Sequence, residues 1–242
     1  MRPCLHEQSI SARPLAVDES GLSADNGFTV HRVNRAATMA LNLIFWEVDC
    51  QRDFLLPAGK LYVPGAEKIL PNLRKLTDAA RNGHFLLISH GCYHTENDPE
   101  FATFPPHCIK GTPGSQLVPE AFTEKVFTIP NESSATVPDD FRKYDQIHLE
   151  KQTLDIFETR HAEEVLKWLP RDAEFVVFGV VTEYCVRLAA KGLLDRGRRV
   201  FVVKDAIETL NAADGERTIA ELQALGASFI STDQALGLAA AA

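Results

Sequence analysis

No stretch of the 242-residue chain stays apolar for the ~18 residues that a membrane-spanning helix needs, so no such span is expected. Basic residues do not dominate either. The 25 Lys and Arg are outnumbered by 33 Asp and Glu, a formal net charge of −8, which argues against nucleic acid or an anionic membrane as a partner. Cysteine pairs of the CxxC kind are missing, and the five cysteines (Cys4, Cys50, Cys92, Cys108 and Cys185) are scattered. An odd, dispersed set fits a reduced cytoplasmic compartment, where a cysteine is read as catalytic, metal-binding or core. Residues 1–30 lack the continuous apolar segment and cleavage site of a signal peptide. Internal repeats are absent as well. What remains is ordinary globular usage, 45% hydrophobic and 24% charged, in a chain long enough to bury a core without disulfides.

Residues 1–38 mix Ser, Arg, Asp and Asn with scattered apolar positions and hold no period. They read as an N-terminal arm, partly disordered or laid against the domain or a partner subunit, with Met39 a second point where translation could begin. Residues 39–242 read as one domain, and from residue 41 strands and helices alternate. The run 41–48 (LNLIFWEV) is nearly continuously apolar, as in a strand buried on both faces of a parallel sheet. Residues 65–82 carry Ala66, Ile69, Leu70, Leu73, Leu76 and Ala80 at helical spacing. Strands are expected at 85–89, 125–129, 146–150, 175–181, 200–203 and 227–231, with helices at 159–169, 183–196 and 214–225. This order predicts a three-layer, doubly wound α/β fold with a mostly parallel sheet, whose ligands bind beyond the carboxyl ends of the strands.

Three polar residues fall at such strand ends. Asp49 closes the first apolar run; its bland reading, a turn cap or a partner of Arg52, weighs equally. Cys185 falls in the first turn of the helix after 175–181. There unpaired backbone N–H groups and the dipole favour a thiolate and can stabilise an oxyanion, although a core thiol is the default for any single cysteine. Lys151 follows the short strand 146–150. It would lower the pKa of a nearby thiol, whereas most lysines are simply exposed.

The pieces D-x-Q-x-D-F (Asp49 to Phe54), F-P-P-H-C followed by G-T-P-G (104–108 and 111–114), the strand-end Lys151 and G-V-V-T-E-Y-C-V (179–186) occur here in one order. In that order they resemble the nicotinamidase and isochorismatase-like cysteine hydrolases over residues 41–236. Each piece alone is weak, and the combination is specific. The resemblance implies Asp49 as general base, Lys151 as electrostatic partner and Cys185 as nucleophile. It also implies an oxyanion hole at the N–H groups of Val181 and Cys185, with a cis peptide before Val181. Gln51, Phe54 and Phe104 would contact substrate, the two phenylalanines sandwiching a flat ring. An amide is a poor electrophile, and hydrolysis through a thioester divides it into two easier steps.

The loop 89–107 is dense in ligand-type residues. By the same resemblance His94, Glu100 and His107 match positions that hold a divalent metal against a pyridine nitrogen, while Cys92 stands where the family has aspartate. A thiolate there suits zinc better than magnesium or manganese. The alternative is a site without metal, Cys92 being a packed thiol and the histidines hydrogen-bonded within the loop. The reading is therefore an amidohydrolase of a small planar carboxamide, nicotinamide first, yielding acid and ammonia as in NAD salvage. Hydrolysis of another amide, a carbamoyl compound or a vinyl ether is the second reading. A non-catalytic interaction protein is the third, and it gives no reason for keeping Asp49, Lys151 and Cys185. The family's habit of assembling implies a homo-oligomer.

Overall fold

The computed structural model describes residues 41–241 apart from His84, so the arm expected at 1–38 lies outside the described residues. Seven strands lie among the described residues: β1 (Leu43–Val48), β2 (Leu86–Cys92), β3 (Val126–Ile129), β4 (Gln146–Lys151), β5 (Glu174–Gly179), β6 (Arg199–Ile207) and β7 (Ser228–Ile230). They form one sheet in the order β3-β4-β2-β1-β5-β6-β7, and every paired neighbour runs parallel. The expected parallel sheet is thus present, and more uniformly than "mostly" allowed.

Side-chain alternation along β1 explains why its sequence shows no polar stripe. Ile44, Trp46 and Val48 enter one core and Leu43 and Phe45 the other, so both faces are covered. The first core packs against α3 (Arg160–Trp168), α4 (Arg187–Asp195) and α5 (Ala212–Ala224) through Val165, Leu166, Ala189, Leu193 and Leu222. The second packs against the short α1 (Arg52–Leu55), α2 (Leu70–Arg81) and α6 (Thr232–Ala241) through Phe54, Leu55, Leu73, Leu76, Ala80 and Ala235. Three layers result. Each fully buried leucine or phenylalanine stabilises the fold by about 1.5–3 kcal/mol relative to exposure.

Helix ends follow local chemistry. Asn211 caps α5 by accepting from the N–H groups of Ala213 and Asp214 through Oδ1. Gly197, at φ +70°, follows α4 as expected for a left-handed stop. Leu73, Leu76, Thr77 and Ala80 are the buried positions of α2, spaced three and four apart. The run 183–196, expected as one helix, instead opens with a π turn, Thr182–Val186, before α4 begins. Helix α6 was not foreseen because its alanine-rich tail carries almost no polar face to mark a period.

The chain moves from β1 to β2 on one side and later returns to β5 on the other. A crevice opens where that direction reverses. At its floor Gly179 takes φ +119°, and a Cβ there would lie 2.0 Å from the carbonyl oxygen of Val48. Only glycine lets β5 approach the end of β1 this closely.

Candidate active site

Four strand ends deliver the polar groups. Asp49 follows β1, Cys92 ends β2, Lys151 ends β4, and Cys185 sits in the π turn after β5. All four are buried. Lys151 Nζ lies 3.0 Å from Asp49 Oδ2, 3.6 Å from Cys185 Sγ and 2.8 Å from Cys92 Sγ. Asp49 Oδ2 is also 3.8 Å from Cys92 Sγ. An exposed lysine is therefore not what residue 151 is. Its side chain ends in a low-dielectric cluster where burial works against its charge, yet Asp49 and then the two sulfurs hold its pKa well above the ordinary value.

The charge state of the sulfurs corrects one expectation. The turn before α4 was expected to make Cys185 a thiolate. Instead, hydrogen bonding between the Cys92 and Cys185 side chains shifts the two sulfurs in opposite directions. That bond, ahead of burial and the Asp49 carboxylate, pushes the Cys185 thiol well up. The same bond lowers Cys92, with Lys151 adding its attraction. The ammonium is closer to Cys92 than to Cys185, in keeping with the lowered pKa of the first and the raised pKa of the second.

A narrow cavity with ≈ 350 Å³ of space between its atoms opens over this cluster. Asp49, Cys92 and Cys185 lie in its wall, together with Phe54, Phe104, Glu100, His107, Val180 and Val181. Phe104 meets Tyr184 edge-on at 5.7 Å, and Phe54 tilts against His107 at 5.2 Å. The peptide Val180–Val181 is cis, as the resemblance implied. Gln51 does not reach the cavity, so the substrate contact expected of it is corrected. Its Nε2 donates to the carbonyls of Cys92 and Ser115, and its Oε1 accepts from the Cys92 N–H. The amide is thereby committed to tying the metal-type loop to β1.

Several contributors were missed in the sequence. Tyr184, Leu61, Leu154 and Leu210 also line the cavity. Leu210 is placed by Glu183, whose Oε1 accepts from the N–H groups of Leu210 and Asn211 while Oε2 accepts from the Thr209 hydroxyl. No sequence period marks such loop residues. Glu47, two residues before Asp49, is wholly buried, and burial, with the Asp49 charge adding, pushes its carboxyl well above the usual range. The acidic form is the one the core can hold.

Cys92, His94 and His107 each present a ligand atom, and these atoms lie within 4.8 Å of one another. Glu100 Oε1 stands 4.0 Å from His94 Nε2 and 3.8 Å from His107 Nε2. The histidine orientations suit a metal. His107 Nδ1 pairs with the Pro105 carbonyl at 2.9 Å and His94 Nδ1 faces Asp98 Oδ2 at 3.1 Å, so the Nε2 atoms are the ones turned toward Glu100 and the loop interior. Both ring nitrogens of His94 are buried with no hydrogen-bond partner, and a cation bound at Nε2 would relieve one of them. Sulfur and imidazole donors with a nearby carboxylate fit zinc.

A doubly wound α/β protein with carboxylate, ammonium and thiol gathered beyond its strand ends is the class the geometry defines. The chain belongs to the isochorismatase family: it matches the family model for the Isochorismatase domain over residues 43–128 and 121–234. It is 30% identical over 176 residues to an isochorismatase family protein of Bacillus subtilis, covering 68% of this chain and 85% of that one. It is 28% identical over 191 residues to the nicotinamidase of Saccharomyces cerevisiae, covering 65% and 84%. Among solved structures, the pyrazinamidase of Pyrococcus horikoshii in complex with zinc superposes with a TM-score of 0.62 at 25% identity, over 78% of this chain and 99% of that one.

Proposed function

We propose that the chain is a cysteine amidohydrolase that converts a small planar carboxamide, nicotinamide first, to the carboxylic acid and ammonia. The observation that carries the reading is the meeting of Asp49, Lys151 and Cys185 at one cavity walled by Phe54 and Phe104. With the Cys185 thiol pKa pushed up, attack needs a base, and the Asp49 carboxylate is the acceptor for that proton. Lys151 steadies the negative charge as it passes between carboxylate and sulfur. The sulfur adds to the amide carbon, and the N–H groups of Val181 and Cys185 are the donors assigned to the developing oxyanion. Asp49 returns the proton to the departing nitrogen, releasing ammonia and leaving a thioester on Cys185. Water, deprotonated by Asp49, then cleaves the thioester and restores the thiol.

Cys92, His94 and His107, with Glu100 beside them, are the residues that would hold a zinc ion. When bound, such an ion supplies a Lewis acid for a ring nitrogen of the substrate. Relatives named nicotinamidase and pyrazinamidase support this substrate class. A coupled assay of ammonia release across nicotinamide, pyrazinamide, aliphatic amides and carbamoyl compounds tests it. Turnover concentrated on the flat aromatic amides is the expected result. Preference for a carbamoyl compound would move the substrate class, and no ammonia from any of them would overturn the amidohydrolase reading.

A further inference from the structure

We propose that His90 is a positioning residue for Asp49, fixing which carboxylate oxygen faces the reacting groups. The inference rests on the hydrolase reading above and adds a fourth residue to it.

His90 lies in β2 directly across from Val48, and its ring is wholly buried. Two contacts join it to Asp49. The Asp49 N–H donates to the His90 carbonyl at 3.0 Å, and His90 Nδ1 lies 3.3 Å from Asp49 Oδ1. A carboxylate can only accept here, so the ring carries its proton on Nδ1 and donates. The other ring nitrogen is Nε2. It is buried with no hydrogen-bond partner, and the edge of the Trp46 ring system stands beside the imidazole, with centroids 6.1 Å apart. Leaving a polar atom unpaired in an apolar wall is unfavourable, and a purely structural side chain at this position has no need of it. The bond to Asp49 gives the histidine its reason.

Asp49 needs such a hold. Its backbone has already left the strand, at φ +50°, a left-handed conformation that non-glycine residues rarely adopt. Strand alternation therefore no longer aims its side chain. The two oxygens have separate neighbours: Oδ1 meets His90, while Oδ2 lies 3.0 Å from Lys151 Nζ and 3.8 Å from Cys92 Sγ. With Oδ1 occupied by a donor, Oδ2 is the oxygen left to exchange a proton on the cavity side. Loss of the imidazole N–H would let the carboxylate turn about its side-chain bonds and lower the fraction of molecules in the reactive geometry. Catalysis is sensitive to displacements of about an ångström.

The test uses the full chain with three substitutions at His90 and one at Asp49. His90→Asn keeps a donor near the Nδ1 position; His90→Gln moves the donor further out; His90→Leu removes it. Steady-state turnover of the best amide is measured beside thermal unfolding and the rate at which iodoacetamide alkylates Cys185. His90→Leu and His90→Gln should lower kcat by roughly 10-fold or more with KM changed by less than about 2-fold. His90→Asn should recover most of kcat. Full kcat in His90→Leu, or equal losses in all three, would overturn the positioning role. Asp49→Asn separates this from the hydrolase reading: if that variant keeps turnover, Asp49 is not the base and the parent reading fails. Should no amide be turned over, the alkylation rate decides. His90→Leu is expected to slow it at least about 5-fold and His90→Asn to restore it, and a wild-type rate in His90→Leu overturns the proposal.

Discussion

At residue 151 a single ammonium contacts a carboxylate and two sulfurs, all of them shielded from water. Replacing Lys151 by Met keeps the stem and removes the charge, which leaves the buried Asp49 without its ammonium partner. Breaking a buried pair in this way costs about 3–5 kcal/mol. Urea unfolding should therefore show a marked loss of stability in Lys151→Met, together with slower alkylation of Cys185. Stability within about 0.5 kcal/mol of wild type would contradict the pairing. The positions of Asp49, Lys151 and Cys185 were legible because each follows an expected strand, and strand ends of a doubly wound sheet converge. The charge on the sulfurs was not. Helix-dipole reasoning considers one cysteine at a time, whereas Cys92 and Cys185 shift one another in opposite directions, and they are 93 positions apart in sequence and become neighbours only in the folded chain. Gln51 misled for a similar reason: its motif position is at the site, but its amide is used by the backbone of Cys92 and Ser115.

The parallel strands β2 and β4 carry a polar seam through an apolar sheet. His148 of β4 bonds Ser89 on one ring nitrogen and Tyr93 on the other, each at 2.8 Å. Burial, with His90 nearby adding to it, pushes the pKa of His148 down to about 3. An unfolded histidine titrates near 6.5. Between those values the unfolded chain binds the extra proton, so the contribution of His148 is present above pH ~6.5 and is lost as pH falls toward ~3, at up to about 1.4 kcal/mol per pH unit. Unfolding free energies measured from pH 7 to pH 4 should fall more steeply in wild type than in His148→Asn. Parallel slopes would show that His148 is not buried in its neutral form. Period and run length disclosed most elements here, including the strands on either side of this seam. They did not disclose the π turn after β5, because its geometry follows from the close approach of Gly179 to Val48, a tertiary contact. Nor did they disclose α6, whose composition lacks contrast between faces.

For the molecule as a whole, the two cores and the seven-strand sheet exist to hold four strand ends and one loop in register. The cluster Cys92, His94 and His107 depends on that register, since Gln51 braces Cys92 from β1 while Asp98 and Pro105 orient the histidine rings. Elemental analysis of the purified protein should find about one zinc per chain, removable by a strong chelator and lost in Cys92→Ala. A protein without bound metal that keeps full turnover after chelation would contradict that assignment. The central claim is covalent: the sulfur of Cys185 carries the acyl group between the two halves of the reaction. Rapid quenching of the enzyme during turnover, followed by mass spectrometry of its peptides, tests this most directly. The account predicts an adduct equal to the substrate less ammonia on the peptide holding Cys185, absent in Cys185→Ala, which should have lost turnover by roughly 1,000-fold or more with its fold intact. Undiminished turnover in Cys185→Ala, or an adduct on another cysteine alone, would contradict it.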